Sequence, residues 1–132
     1  MSETTIQREI MLALGRHPNV RIWRNNTGNA VAGARYIRID KPTTVTLHAG
    51  DWIVKHGSRI QYGLCIGSSD LIGLRVINGV AQFLACEVKD KGKATPEQEN
   101  FLKVVRSLGG CSVLARSPEE AVSQIVCGEL SL

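Results

Sequence analysis

The sequence predicts an α/β fold, a mixed β-sheet with helices on both faces. Three observations carry that expectation. Asn78-Gly79 stands between two apolar-rich runs, and both positions of a two-residue type I′ turn need positive φ, so these residues mark a β-hairpin. The unit from Phe83 through Ala115 reads strand, helix, strand, which implies a right-handed parallel crossover. Thr95-Pro96-Glu97-Gln98 and Ser117-Pro118-Glu119-Glu120 each have the form of a helix start. A chain of 132 residues, 43% apolar and 21% charged, fits one domain, 1–132, around a single core.

The elements follow in order. Ser2 caps a helix expected to run to about Arg16, with Ile6, Ile10, Ala13 and Leu14 as its apolar stripe and His17-Pro18 as its end. Residues 20–24 and 34–39 read as strands around the loop 25–29. Residues 44–47 and 51–54 are weaker strand candidates, and 57–67 reads as a loop holding the short apolar run Leu64-Cys65-Ile66. The hairpin comes next, then a basic turn over 90–94. Thr95 at N-cap, Pro96 at N1 and Gln98 at N3 open a helix whose buried face is Phe101, Leu102, Val104, Val105 and Leu108. Gly109-Gly110 ends it, and Cys111–Ala115 reads as a buried strand. The last helix turns Ala121, Val122, Ile125 and Val126 inward. No repeat, low-complexity stretch or linker interrupts this order.

Composition narrows the function classes. Net charge is +4 and the pI about 9.1, a mild excess that favours a polyanionic partner. Its distribution is more telling. Between residues 21 and 59 lie Arg21, Arg24, Arg35, Arg38, Lys41, Lys55 and Arg59 against only Asp40 and Asp51, a local charge of +5. Such a segment suits a phosphate backbone, although a solvated basic face has the same charge. No run of eighteen apolar residues is present, which argues against a membrane span. The polar N-terminus MSETTIQRE lacks a signal-peptide core, so a cytoplasmic protein of phage- or bacteria-like intracellular type is expected. Cys65, Cys86, Cys111 and Cys127 form no C-x-x-C and read as buried reduced thiols. His17, His48 and His56 share no ligand spacing.

The hairpin carries the chemistry. With Asn78-Gly79 as the loop, Ile77 faces Val80, Val76 faces Ala81, and further out Asp70 faces Glu87. Directly opposed residues have Cβ atoms about 4.5–5.5 Å apart, and like charges there destabilise a sheet. A purely structural hairpin avoids that pair, whereas a divalent cation needs it. Mg²⁺ or Mn²⁺ takes such hard oxygen ligands, polarises a phosphoryl oxygen and lowers the pKa of water. Lys89 leaves the same face as Glu87 because strands have a period of two, and it is placed to orient water or neutralise phosphate charge. Ala85 and Phe83 share that face and predict partial burial. Two roles stand open for Gln98, a contact to water or phosphate and the N3 member of a capping box. Glu87 and Lys89 also admit reading as a surface ion pair, and Asp70 as a turn residue.

Ser69-Asp70, then Glu87-Val88-Lys89, then Gln98 to Phe101 as Q-x-x-F, resemble the PD-(D/E)xK nuclease superfamily, and more finely its virus-type replication-repair nuclease (VRR-NUC) family. Supporting pieces span nearly the whole chain: E-x-x-I at Glu3 to Ile6, W-R-N-N-T-G at Trp23 to Gly28, G-S-S-D at Gly67 to Asp70, and Gly109-Gly110. The resemblance implies a restriction-endonuclease-like mixed β-sheet flanked by α-helices. It implies Asp70, Glu87 and the backbone carbonyl of Val88 as metal ligands, Lys89 as the catalytic lysine, and Gln98 as the helix glutamine near the site. Glu3 matches the acidic residue that many members carry on the first helix, with Glu9 a competing candidate. The proline that usually precedes the aspartate is replaced by Ser69.

The activity so implied is Mg²⁺- or Mn²⁺-dependent hydrolysis of DNA phosphodiesters. Small stand-alone members of this length resemble Holliday junction resolvases and act as homodimers, an arrangement that suits paired cuts in a four-way junction. No added DNA-binding domain is visible, so a junction-cutting homodimer is the expected function. Arg24, Asn26, Arg35, Arg38 and Lys91 are the candidate DNA contacts, a grip that positions without reading sequence. The alternatives are a general or restriction-like DNA nuclease with the same site, and a non-catalytic nucleic-acid-binding module that keeps only the fold.

Overall fold

The computed structural model describes residues 1–30 and 37–126. Three helices, α1 (Glu3–Leu14), α2 (Pro96–Ser107) and α3 (Pro118–Ile125), surround a mixed four-stranded sheet. Its strands are β1 (Val20–Arg24), β4 (Leu71–Ile77), β5 (Val80–Val88) and β6 (Cys111–Ala115), in the order β1-β4-β5-β6. A separate two-stranded ladder joins β2 (Gly28–Ala30) to β3 (Ile60–Tyr62).

The hairpin has the expected turn and register. Asn78 and Gly79 have φ of 50° and 76°, both in the left-handed region a type I′ turn demands. The β4–β5 ladder runs from Ile77 opposite Val80 out to Leu71 opposite Cys86. β1 pairs antiparallel on the other edge of β4, and β6 pairs parallel with β5 after the α2 crossover.

Strand alternation sorts β5 onto two faces. Leu84, Cys86 and Val88 point into the larger core with Val20, Ile22, Leu71 and Val113, roofed by Ile6, Ile10 and Leu14 of α1 and Ala121 and Ile125 of α3. Ala85 points the other way, under Leu102 and Val105 of α2, with Phe101 and Leu114 beside it. Each buried Val, Leu or Ile of these clusters stabilises the fold by roughly 1.5–3 kcal/mol. Glu87 lies on the α2 face, beside Leu114, at the end of that smaller cluster.

Several expectations are corrected. Helix α1 stops at Leu14, where Gly15 takes the C-cap. Residues 37–39, 44–47 and 51–54 form no strand, because their backbone meets no ladder partner among the described residues, and Ile37, Val45 and Trp52 are exposed. The remainder of the expected 34–39 strand lies outside the described residues. β2 falls partly in the expected loop 25–29, and β3 lies within the loop 57–67. Val104 and Leu108 of the expected α2 face are exposed, since α2 touches the sheet through a narrower stripe. Phe83 is 39% exposed, beyond the cover of α2. Cys86 and Cys111 are buried free thiols, whereas Cys65 is exposed; Cys127 lies outside the described residues.

Among the described residues, no helix is long and apolar enough to cross a membrane.

Candidate metal centre

The site is built where β1, β4 and β5 end together beside the start of α2. Asp70 is the residue just outside the last β4–β5 pair, so the register carries it opposite Glu87. Its Oδ2 accepts the Val88 N–H at 2.9 Å, which stands in for the ladder bond at this position. Glu87 is fully buried.

One oxygen of Glu87 is held and the other is not. Oε1 accepts from Gln98 Nε2 at 2.6 Å and lies 3.4 Å from the Lys89 ammonium. Among the described residues, Oε2 is buried without a hydrogen-bond partner. An unsatisfied carboxylate oxygen in the interior costs on the order of 1–3 kcal/mol or more. Burial first, and then the neighbouring charge of Asp70, raise the Glu87 carboxyl from its ordinary 4.5 to about 7, against the opposing pull of Lys89. A cation between the two carboxylates relieves both terms together, so the residues present fit a divalent metal.

Of the two readings of Gln98, the N3 member of a capping box is present. The Thr95 hydroxyl accepts the Gln98 N–H at 3.2 Å, and Gln98 Oε1 accepts the Thr95 N–H at 2.8 Å, completing a capping box. A backbone N–H requires the amide oxygen, which leaves the NH₂ group to face Glu87. The cap therefore sets the orientation in which Gln98 reaches the carboxylate.

Backbone directions place the Val88 carbonyl as well. Lys89 turns its N–H to the Ala115 carbonyl of β6 at 3.2 Å. Val88, one residue earlier, turns its backbone groups to the opposite, β4 side, where its N–H meets Asp70. Its carbonyl leaves the strand on that same side.

The turn before β4 is held from two directions. Gly67 has φ of +83°, and a Cβ there would stand 2.6 Å from the Glu97 carbonyl carbon at the start of α2. From the β1 side, Asn25 donates its backbone N–H to the Asp70 carbonyl at 2.8 Å. The Asn25 side-chain NH₂ donates to Ser68 Oγ at 2.8 Å and to the Ser69 carbonyl at 3.0 Å. Sequence reasoning picked Asn26, its exposed neighbour, and missed Asn25. Two adjacent asparagines at a strand end give no sequence signal that separates them.

The remaining residues divide by distance from this centre. Glu3 Oε1 accepts the Asp90 N–H at a long 3.4 Å, so α1 brings Glu3, rather than Glu9, to the turn after Lys89. Among the described residues, no three His, Cys, Asp or Glu side chains gather as a metal-ligand group, and Glu3 stands apart from the Asp70–Glu87 pair. Arg24 and Lys91 are exposed at the site end of the sheet, one flanking Asn25 and the other two residues past Lys89. Arg38 is exposed and pairs with Asp40 at 3.4 Å. Arg35 lies outside the described residues. Cys86 shares the neighbourhood but not the chemistry: burial, and then the charges of Asp70 and Glu87, push its thiol well above the ordinary range and keep it protonated.

Comparison with models of known protein families finds none that matches the chain, and a search of curated proteins finds no match.

Proposed function

We propose that this chain is a metal-dependent, structure-selective DNA endonuclease of VRR-NUC type and restriction-endonuclease-like fold, cutting four-way junctions by phosphodiester hydrolysis as a homodimer. The observation that carries the reading is the buried Glu87 carboxylate, with Oε2 unpartnered and Asp70 beside it. A buried carboxylate oxygen left open beside a second carboxylate is the arrangement that a hard cation ligand needs. Asp70, Glu87 and the Val88 carbonyl would hold Mg²⁺ or Mn²⁺. When bound, the cation supplies charge stabilisation at phosphate and a more acidic water.

The chain's own groups supply the rest. Gln98 fixes the Glu87 carboxylate through Oε1, so that Oε2 keeps one direction. Lys89, 13% exposed, carries a positive charge at the rim of the site, suited to orienting water and offsetting charge that builds on phosphate. Glu3 tethers the turn after Lys89 through the Asp90 N–H. Arg24, Asn26 and Lys91 are exposed and available to phosphates. The homodimer rests on the resemblance and on the two cuts that a four-way junction needs.

The test is cleavage of matched substrates with Mg²⁺: four-way junction, flap, linear duplex and single strand. Selective cutting of the junction is expected. Equal cutting of linear duplex overturns junction selectivity and leaves a general or restriction-like nuclease. No cutting of any substrate, with binding retained, leaves a non-catalytic module. A monomer in sedimentation at working concentration counts against paired cuts.

A further inference from the structure

We infer that Asn25 is a positioning residue for the metal centre, acting through the turn that presents Asp70. This rests on the metal-site reading above and adds to it a residue that touches neither the cation nor the substrate.

The geometry is specific. Asn25 follows the last β1 residue, and its backbone extends the β1–β4 ladder by one bond, to the Asp70 carbonyl. Its single side-chain nitrogen then bridges two further residues of the same turn, Ser68 through the hydroxyl and Ser69 through the carbonyl. Ser68 passes the restraint back along the chain by donating its hydroxyl proton to the Cys65 carbonyl at 2.7 Å. Three consecutive residues, 68 to 70, are thus tied to the one residue that follows β1. On the far side, Gly67 is pressed against Glu97.

Asp70 sits at the end of this restrained turn, and its carboxylate has one strand contact of its own, the Val88 N–H. Without the side-chain amide of Asn25, residues 68 and 69 lose their tie to the end of β1, and Asp70 keeps only the Asn25 N–H on its carbonyl and the Val88 N–H on its carboxylate, so its position opposite Glu87 loosens. Partners that orient a ligand in this way are worth about 10–100-fold in metal affinity. Aspartate cannot replace the amide, because a carboxylate offers no donor to the Ser69 carbonyl and adds negative charge beside Asp70.

The test uses the full chain and Mn²⁺ alone, titrated calorimetrically at a temperature where thermal unfolding shows each protein folded. Wild type is expected to bind, and Asp70→Asn to lose that binding. Asn25→Ala is expected to weaken Mn²⁺ by about tenfold or more. In cleavage it should lower kcat, with KM for DNA within about twofold. Ser68→Ala, which leaves the bond to the Ser69 carbonyl, should fall between, about threefold weaker. A merely structural asparagine lowers the melting temperature and leaves the Mn²⁺ affinity of the folded protein unchanged. That result overturns the inference while the metal site stands. If Asn25→Ala does not fold, Ser68→Ala decides: affinity equal to wild type overturns it. Wild type that binds no Mn²⁺, or binds it equally in Asp70→Asn, removes the metal-site reading and this inference with it.

Discussion

Cys86 and Glu87 are adjacent on β5, equally buried, and face opposite ways. Around Cys86 the surroundings are apolar: Leu84 and Val88 on its own strand, Leu71 and Val113 beside it. Burial there needs no explanation beyond removal of apolar surface from water. Around Glu87 the neighbours are Asp70, Lys89, Gln98 and Leu114, and one carboxylate oxygen has no partner. Burial there works against the ionised carboxylate, and the Lys89 ammonium at 3.4 Å offsets it only in part. The same strand therefore has one face whose burial is apolar throughout and one face that buries a carboxylate, which on the proposed reading a cation completes.

The sharpest way to break that contrast is to remove the charge. Glu87→Ala is expected to lower kcat on the preferred DNA by at least about a thousandfold, near 4 kcal/mol, while DNA binding persists. Retained cleavage refutes the site. Lys89→Ala should lose roughly a hundredfold or more and still bind Mn²⁺, since Lys89 is not a ligand. On the other face, Leu84→Ala is expected to cost roughly 2–5 kcal/mol in denaturant unfolding. Mn²⁺ affinity of the folded protein should not change. A Leu84 variant that loses metal affinity while still folded would show that the two faces are coupled.

pH separates the faces through Glu87 itself. Its carboxyl is raised to about 7 in the folded protein, against an ordinary value of 4.5. The folded state therefore holds the proton more tightly than the unfolded state. That stabilisation is full below about pH 4.5 and is lost as pH rises through 7. Its size is on the order of 3 kcal/mol, from 1.36 kcal/mol per unit between 4.5 and about 7. In chelator, wild type should lose stability between pH 5 and pH 8 relative to Glu87→Gln, which keeps the shape and cannot ionise. Mg²⁺ at pH 8 should restore wild type and leave Glu87→Gln unmoved. Parallel pH profiles for the two proteins in chelator would mean that Glu87 is not strained by burial.

Legibility in the sequence follows the same division. The hairpin was readable because Asn78-Gly79 admits one turn type, and one turn type fixes every pair out to Asp70 and Glu87. The caps of α2 and α3 were readable because Thr95 and Ser117 act within four residues. The β2–β3 ladder was not, because three-residue strands thirty residues apart carry too little periodicity to announce a partner. Residues 44–47 have strand composition and meet no pairing partner among the described residues. Asn25 was hidden for a different reason. Its role depends on where the chain returns more than forty residues later, at Ser68 and Ser69. Glu87 and Lys89 were visible as a pattern, but the depth of burial that gives the pattern its meaning came only from α2 lying over the sheet.

The smallest expected effect compares two helix caps of the same kind. Thr95 and Ser117 each accept the N–H three residues ahead, from Gln98 and Glu120, and each precedes a proline. Alanine at either position should cost about 1 kcal/mol of stability, the ordinary value of a lost N-cap. The two differ only in what the cap holds. Behind Thr95 stands Gln98, whose amide is turned by the cap toward Glu87. Behind Ser117 stands Glu120, whose carboxylate accepts the Arg116 N–H at 2.8 Å and has no bond to the metal centre. Thr95→Ala keeps the backbone N–H that Gln98 Oε1 accepts, so Gln98 is loosened rather than released. Mn²⁺ affinity should then fall only a fewfold, about 1 kcal/mol or less. Ser117→Ala should match it in melting temperature and bind Mn²⁺ like wild type. If the two variants weaken Mn²⁺ equally, the loss reflects general stability, and Gln98 serves the helix alone.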